Sequence, residues 1–200
     1  MKKQNGILFL DGENSASVAR RVASVLVGGG ICIIPTDTIY GIVAIDGQEE
    51  AVKRIYTIKG RPRSKPLIRL IGSLEVIATY SSQPVPEEIA RYWPGPLTVI
   101  VRGVNEPTVS IRYPSSSWLD LLFCALNYRV LVAPSANLSG RENIFSSEAI
   151  IDTFRGVVDL IVCAKGGLQE REPSTIVDIS EHPWRIVREG ALNLKNLTLA

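Results

Sequence analysis

Apolar residues near the start of the chain recur at the spacing of a helix. In SASVARRVASVLVGG, residues 15–29, they fall three or four positions apart and share one face. Ser15 or Ser17 is expected to cap the start of this helix, and the glycines at 28–30 are expected to end it. The apolar positions are Val18, Ala19, Val22, Val25 and Leu26.

Beyond this helix, short apolar runs of strand length alternate with helical patterns. Strands are predicted in GICIIPT, IYGIVAI, PLIRLIG, LTVIVRG, TVSIRYP, RVLVAPS, LIVCA, STIVDI and WRIVRE. Helices are predicted in GQEEAVKRIYTIK, SLEVIATYS, PVPEEIARYW, SSWLDLLFCALN and SSEAIIDTFRG. Because LTVIVRGVNEPTVSIRYP favours a hairpin, strands should pair both parallel and antiparallel. We expect one α/β domain over residues 1–200 with a mixed sheet, and a loosely docked tail at 193–200.

The composition agrees with one compact domain and indicates the kind of cellular compartment in which the protein is found. The chain has 200 residues, 46% of them hydrophobic, and a formal net charge of +2, so any basic site must be local. Three cysteines lie in the apolar contexts GICII, LFCAL and LIVCA, which predicts reduced, buried thiols in a cytoplasmic protein. The first residues do not resemble a signal peptide, and no apolar run reaches the ~18 residues that span a bilayer. We therefore expect a soluble protein with no membrane partner.

Positive charge is concentrated in YTIKGRPRSKPLIRL, residues 56–70. Lys59, Arg61, Arg63 and Lys65 occupy every second position, and in an extended chain this spacing places side chains on one face. The two prolines of the segment disfavour a helix and support an extended or looped path. Like charges repel one another without a partner, whereas arginine and lysine bind phosphate oxygens well. A bound polyanion is therefore favoured over a solvated loop, and both a nucleic-acid backbone and a nucleotide triphosphate fit.

Small polar residues flank several predicted strands, in IIPTDTIYG, LVAPSANLSG and REPSTIVDI. Such residues form ordinary turns, but loops at strand ends of α/β sheets are also where ligands usually bind. Three such loops together with the cation segment favour a binding site, which the strand-end cations Arg112 and Arg188 can also reach. The polar residues are Thr36, Asp37, Thr38, Ser135, Asn137, Ser139, Ser174 and Thr175.

Common catalytic and nucleotide-binding motifs are missing from the sequence. The single histidine, His182, excludes histidine clusters for a metal and serine or cysteine arrangements that need a histidine elsewhere. There is no GxxxxGK[ST] loop, and GGG precedes a strand instead of following one. If a nucleotide binds, side-chain cations must hold its phosphates.

The motifs, in their order along the chain, resemble the YrdC family of threonylcarbamoyl-AMP synthases. They are PTDTIYG, KGRP followed by KPL, WPGPLT, SIRYP, APSANLSG, GG shortly before PSTIVD, and RIVREG, and they cover about residues 15–192. The Lys-x-Arg and Ser-x-Asn pairs are diagnostic of the synthases, and this chain has both as Lys59/Arg61 and Ser135/Asn137. The related YciO branch typically lacks parts of this set, so the resemblance favours the synthase side.

The resemblance implies a nucleotidyltransferase that joins L-threonine, bicarbonate and ATP, with Mg²⁺, into threonylcarbamoyl-AMP and releases pyrophosphate. Partner proteins then transfer the threonylcarbamoyl group to tRNA. It also implies a twisted mixed sheet, flanked by helices, around a concave, positively lined cavity. Longer relatives have an extra C-terminal domain, which a chain of this length is not expected to contain.

The resemblance further implies roles for individual residues. Lys59 and Arg61 would be the catalytic pair that contacts the ATP phosphates, and no residue is expected to bind a metal. ATP would be bound by Lys59, Arg61, Lys65, Arg112, Ser135, Asn137 and Arg188. L-Threonine would be bound by Thr36, Thr38, Tyr40, Ser135 and Ser174.

The sequence departs from the family pattern at three places, of which GIVAIDG, in place of a glycine-cysteine pattern after YG, is expected to be a packing variation. Leu70 stands where archaeal relatives have a histidine that contacts threonine, and RENIFSS follows SANLSG where relatives often have a Ser-Pro-Thr type segment that helps hold nucleotide. The adenine side of the pocket, including any role of Ser146 or Ser147, is therefore left unassigned.

Two other functions remain open from the sequence. The basic segment could belong to a module that binds double-stranded RNA or tRNA, although such a module has no need of the accompanying threonine and serine hydroxyls. The same domain also occurs in hydrogenase-maturation proteins that start from carbamoyl phosphate, but those chains have additional cysteine-rich domains.

Overall fold

The computed structural model of the protein describes residues 6–194. Within this range ten strands form one mixed sheet in the order β1-β8-β2-β3-β7-β4-β6-β5-β9-β10, which confirms the predicted fold class; the domain boundaries at 1 and 200 stay a prediction. The strands are β1 Gly6–Leu10, β2 Cys32–Pro35, β3 Tyr40–Ile45, β4 Arg69–Leu70, β5 Leu97–Arg102, β6 Thr108–Arg112, β7 Leu131–Val132, β8 Leu160–Ala164, β9 Thr175–Asp178 and β10 Arg185–Arg188.

Helices cover both faces of one half of this sheet. Residues of α1 and α5 pack on one face of β2 and β3, and residues of α2 and α6 pack on the other. This arrangement explains why β2 and β3 are buried along their whole length. The helices are α1 Ser15–Val27, α2 Glu49–Lys59, α3 Ile77–Tyr80, α4 Glu87–Ala90, α5 Ser117–Ala125 and α6 Ser147–Phe154, with a 3₁₀ turn at Leu74–Val76 before α3.

Strand pairing is both parallel and antiparallel, as expected. The hairpin predicted in the middle of the chain is confirmed, since β5 and β6 pair antiparallel, while β9 lies parallel to β5 on the other side. The strands β4 and β7 are much shorter than the predicted runs and have two residues each. β7 ends close to Pro134, which has no N–H group to extend the ladder.

The other half of the sheet has one apolar and one polar face. Along β5, Leu97, Val99 and Val101 enter a buried cluster that also contains Trp93 and Trp184. Because side chains alternate along a strand, Thr98 and Ile100 lie on the opposite face. Ser110 and Arg112 of β6, and Ile176 of β9, lie on that same face by the pairing register. This polar face of β6-β5-β9-β10 forms the floor of the site described below.

Three local predictions differ from the structure. Neither Ser15 nor Ser17 caps α1; Asn14 is the N-cap residue, without a side-chain capping bond, and the hydroxyl of Ser15 donates to the carbonyl of Asp11. The pattern SLEVIATYS forms only a 3₁₀ turn followed by α3, and PVPEEIARYW forms only the single turn of α4. Both segments contain few residues that reach the core, so little packing energy extends these helices.

The prediction that all three cysteines are buried is wrong for one of them. Cys32 and Cys163 are buried and Cys124 is exposed. The helical period of α5 turns Trp118, Leu119, Leu122 and Phe123 into the core, which leaves position 124 on the outer side.

The ends of the chain lie partly outside the described residues. Leu194, which was assigned to a loosely docked tail, is buried in the cluster around Trp93 and Trp184, while residues 195–200 and 1–5 are not described. In the part of the chain that the structure covers, no helix is long and apolar enough to span a membrane. Cytoplasmic location stays a prediction.

A Gly72→Ala variant is expected to unfold at a lower temperature. A Cβ atom at position 72 would lie 2.5 Å from Cβ of the buried Phe123, so part of the core must shift. Overpacking of this kind costs about 1–3 kcal/mol, a fall in melting temperature of roughly 2–10 °C for a chain of this size. Thermal unfolding measures this fall in melting temperature. Gly12→Ala is the control, because its new methyl group meets nothing within 4 Å. Equal melting temperatures of the two variants would contradict the packing argument.

Candidate active site

A cavity of about 330 Å³ opens on the polar face of the sheet. It lies where β2, β6, β7 and β10 end and β3 and β9 begin, so residues distant in sequence meet there. Nine of the predicted site residues line it, namely Thr36, Thr38, Tyr40, Arg61, Lys65, Arg112, Ser135, Ser174 and Arg188. Lys59 and Asn137 do not line it, although both contact its wall.

The lining of the cavity is positively charged. Among its lining residues are the cations Arg61, Lys65, Arg112 and Arg188, and none of the residues that line it is acidic. Apolar side chains, including Ile100, Ile176 and Val187, form the remaining wall. Such a mixture suits a ligand that has anionic groups and a small apolar part.

Arg112 is the most deeply buried of these cations. It is 5% exposed, and its Nη1 donates to the Thr38 hydroxyl at 2.9 Å while its Nη2 donates to Asp37 Oδ1 at 2.7 Å. The other carboxylate oxygen of Asp37 accepts the backbone N–H of Ser115 at 3.1 Å. Burial lowers the pKa of Arg112, and the Asp37 carboxylate partly offsets that effect. Arg112 Nε is buried and has no hydrogen-bond partner in the described structure.

The loop after β2 has the conformation of a tight turn held by hydroxyl groups. The hydroxyl of Thr36 donates to the carbonyl of Ile39 at 2.7 Å and accepts the backbone N–H groups of Thr38 and Ile39. It also contacts the hydroxyl of Thr38 at 3.2 Å. These bonds fix both threonines at the cavity wall, next to Arg112.

Tyr40 lines the cavity but its hydroxyl lies elsewhere. The hydroxyl accepts the backbone N–H of Ala164 at 3.0 Å and lies 3.5 Å from the Ser147 hydroxyl. Burial raises the pKa of Tyr40. The hydroxyl is thus occupied inside the core, and the predicted contact with threonine would involve other atoms of this residue.

Ser174 and Arg188 form the opposite wall. Arg188 donates from Nε and Nη2 to the carbonyl of Ser174, at 3.1 and 2.6 Å, and from Nη2 to the Ser174 hydroxyl at 3.1 Å. The Ser174 hydroxyl shares a further bond of 2.8 Å with the hydroxyl of Thr98, which lies on the cavity floor. Burial, and then the charge of Arg112, lower the pKa of Arg188.

Lys59 lies behind the cavity and holds one of its loops. As the last residue of α2 it is 3% exposed, and Nζ donates to the carbonyls of Ser135 and Asn137 at 2.5 and 2.6 Å. A third bond of 3.2 Å goes to Asn137 Oδ1, which also accepts the Ser135 hydroxyl at 2.6 Å. Burial, and then the charge of Arg61, lower the pKa of Lys59 to about 8.

The four cations of the 59–65 segment do not share one face of an extended chain. Gly60 ends α2 in the left-handed conformation, with φ of 58°, and the chain then turns. Arg61 closes this turn by donating from Nε to the carbonyl of Lys65 and from Nη2 to that of Pro66, at 3.1 and 3.0 Å. Arg61 and Lys65 therefore reach the cavity, whereas Arg63 is exposed and lies outside its lining. The prediction of a loop is confirmed. The prediction that the four side chains lie on one face is wrong, because the chain turns at Gly60.

A second cavity of about 780 Å³ lies beyond Asn137. Its walls are the loop 138–146 and one side of α6, including Phe145, Ser146 and Thr153. Ser147, by contrast, is buried and its hydroxyl donates to the carbonyl of Ala164. Asn137 thus stands at the edge between the charged cavity and this larger, open one.

The sequence did not single out two residues that shape the site. Asp37 was noted only as a strand-end residue, and its pairing with Arg112 joins positions far apart in the chain. Thr98 is fully buried under Ser174. The sequence did contain a signal for Thr98, the threonine of WPGPLT, because it is a polar residue between two apolar positions of β5.

No resident metal site is formed by the described side chains. In residues 6–194 no group of three or more His, Cys, Asp or Glu residues lies close enough together to hold an ion. The cavity lining has cations and no carboxylate, whereas protein sites for Mg²⁺ commonly include carboxylates.

Comparison with known proteins agrees with the motifs. The Sua5/YciO/YrdC family model, described as "Telomere recombination", matches residues 24–190. This chain belongs to that family. The family identified from the motifs is therefore confirmed, and the matched range contains all residues of the charged cavity.

Members of the Sua5/YciO/YrdC family similar to this chain include longer and equally long proteins. The threonylcarbamoyl-AMP synthase of Pyrococcus abyssi (strain GE5 / Orsay) is 35% identical over 184 residues, covering 84% of this chain and 53% of that protein. The crystal structure of P. abyssi Sua5 complexed with L-threonine is 32% identical, with a TM-score of 0.82 over 96% of this chain and 58% of that one. E. coli YciO is 25% identical, with a TM-score of 0.82 over 96% and 98% of the two chains. This chain thus spans about half the length of the curated relative.

Proposed function

We propose that the protein is a threonylcarbamoyl-AMP synthase, which makes threonylcarbamoyl-AMP and pyrophosphate from L-threonine, bicarbonate and MgATP. The observation that supports this most directly is the meeting of four cations with threonine and serine hydroxyls in one cavity that has no acidic lining residue. The similarity to a synthase, and to a relative solved with L-threonine, supports the same assignment.

The lining of the cavity has groups suited to two substrates. Arg61 and Lys65, on the turn after α2, would contact the phosphates of ATP, together with Arg188 across the cavity. Thr36, Thr38 and Ser174 would bind L-threonine. Arg112 and Ser135 also line the cavity and would contact both ligands.

The chemistry proposed for this site depends on position and charge. The amine of threonine adds to carbon dioxide and loses a proton, or condenses with bicarbonate and releases water; one oxygen of the resulting N-carboxylate then attacks the α-phosphorus of ATP. The bond from that phosphorus to the bridging oxygen breaks, and pyrophosphate leaves with the electron pair. The cavity lining has no carboxylate or imidazole to serve as a base, so its cations would stabilise the charge that develops on pyrophosphate.

The product would be consumed by partner proteins that transfer its threonylcarbamoyl group to tRNA. Direct binding of RNA in the cavity is a weaker alternative. An RNA backbone contacts exposed residues, whereas Arg112 and Ser174 are 5% and 2% exposed.

Pyrophosphate release from ATP tests the proposal, measured with magnesium and bicarbonate in the presence and absence of L-threonine. Release that depends on threonine, with L-serine and no amino acid as controls, is the expected result. Absence of such release, together with salt-sensitive binding of tRNA, would favour an RNA-binding module instead.

The proposed activity is expected to fall as the pH rises through about 8. Burial and Arg61 lower the pKa of Lys59 to about 8, so below that value the ammonium group is protonated and can donate all three of its bonds. Above it, the neutral amine has one N–H fewer and the Ser135–Asn137 loop loses a donor. Nuclear magnetic resonance of Lys59 follows this titration directly, next to a pH profile of pyrophosphate release. Titration near 10.4, the ordinary value for lysine, would contradict it.

A further inference from the structure

The floor of the cavity contains one fully buried hydroxyl, that of Thr98. Thr98 is 0% exposed and lies on the cavity side of β5, between β6 and β9. Its register partners are Arg112 on β6 and Ile176 on β9. Thr98 therefore lies beneath the space between two walls of the site, that of Arg112 and that of Ser174 with Arg188.

The proton of this hydroxyl can be placed by its surroundings. Thr98 Oγ1 lies 2.8 Å from Ser174 Oγ, and that is the hydrogen bond its side chain makes within the described structure. If Ser174 were the donor, the Thr98 proton would be buried without an acceptor, which costs about 1–3 kcal/mol. Thr98 must therefore donate and Ser174 accept.

The same reasoning applies to Ser174. Its Oγ accepts from Thr98 at 2.8 Å and from Arg188 Nη2 at 3.1 Å, so both of its lone pairs are occupied. Its own proton takes no part in either bond. Because Ser174 lines the cavity, the remaining direction for this proton is toward the ligand.

We propose that Thr98 is a positioning residue that orients the Ser174 hydroxyl as a hydrogen-bond donor toward an anionic oxygen of the bound substrate. This inference rests on the proposed function, in which that oxygen belongs to L-threonine or its N-carboxylate. Ser174 alone could rotate its proton toward other acceptors. Two donors fixed on its oxygen, one from the sheet floor and one from Arg188, prevent that rotation.

The matched variants are Thr98→Val and Thr98→Ser. Valine keeps the shape of threonine and removes the hydroxyl, whereas serine keeps the hydroxyl and removes the methyl group. We expect Thr98→Val to raise the KM for L-threonine about 5- to 10-fold, the effect of one hydrogen bond, with kcat changed less than about 2-fold. Thr98→Ser should stay within about 2-fold of the wild-type KM.

A double-mutant cycle shows whether Thr98 acts through Ser174. Ser174→Ala should raise the KM for L-threonine by a similar factor, and adding Thr98→Val to it should have no further effect. Additive effects of the two changes would overturn the proposal, as would a wild-type KM in Thr98→Val or an equal defect in Thr98→Ser. The last outcome would assign the effect to packing of the methyl group.

A readout without substrate separates this inference from the proposed function. The Nε–H resonance of Arg188 reports the bonds that Arg188 makes to Ser174; it should shift in Thr98→Val and recover in Thr98→Ser. A wild-type protein without threonine-dependent pyrophosphate release would refute the proposed function, while this resonance would still test the positioning. An unchanged resonance in Thr98→Val would overturn the positioning itself.

Discussion

The Arg61→Ala variant is expected to release threonine-dependent pyrophosphate about 100-fold more slowly than the wild type, or slower still, and to remain folded. Arg61 lines the cavity, and under the proposed function its positive charge stabilises the charge that develops on pyrophosphate. Removal of one preorganised donor from such a site commonly costs 10²- to 10³-fold in turnover. Its two bonds to the carbonyls of Lys65 and Pro66 hold only an exposed turn, so the global fold does not depend on them.

Arg63→Ala is the matched control for this variant. It removes the same charge from the same turn, but Arg63 is exposed and lies outside the cavity lining. Steady-state kinetics should therefore give an activity within about 2-fold of wild type, since a distant exposed charge is largely screened. An equal loss in both variants would mean that the turn attracts ATP by its overall charge, and a near-normal Arg61→Ala would remove Arg61 from the proposed mechanism.

The Lys59→Met variant should lose activity to a similar extent for a different reason. Methionine fills much of the same space but removes the donor that three oxygen atoms of Ser135 and Asn137 share. The Ser135 carbonyl keeps the N–H of Asn137 and Asn137 Oδ1 keeps the Ser135 hydroxyl, so the carbonyl of Asn137 is the acceptor left without a described partner, at a cost of about 1–3 kcal/mol. Removal of a charge that is buried without a carboxylate partner is favourable by a similar amount. These terms oppose one another, so the melting temperature should change little while the loop rearranges.

Hydrogen exchange is the measurement that decides this case. The amides of Ala136 and Asn137, whose bonds go to the carbonyls of Tyr40 and Ser135, should exchange faster in Lys59→Met than in wild type. Amides of the distant helix α1 serve as the internal reference. If activity is lost while the loop amides keep their protection, Lys59 acts on the phosphates directly, as the family resemblance implies.

The fold was largely predictable because its strongest signals are local. The period of apolar residues predicted α1, α2, α5 and α6, and the turn between β5 and β6 marked a hairpin. The lengths of β4 and β7 were not predictable: both strands lie within predicted strand runs, but only two residues of each pair with neighbouring strands. The orientation of Cys124 was missed for the related reason that an apolar context does not say which side of a helix faces outward.

The members of the site were easier to predict than their arrangement. Cations and hydroxyls near strand ends selected nine of the residues that line the cavity, which is less than half of its lining. Which way each side chain points depends on the backbone between them, and one left-handed glycine separates Lys59 from Arg61. Contacts such as Asp37 with Arg112 depend on pairings across the sheet that single-sequence patterns do not contain.

The sheet order has a consequence for synthesis of the protein on the ribosome. Strand β1 needs β8, and the polar floor needs β9 and β10, the last strands to be made. The cavity wall that begins at Thr36 is completed only by Arg188. A nascent chain therefore has no finished cavity until Arg188 has been translated.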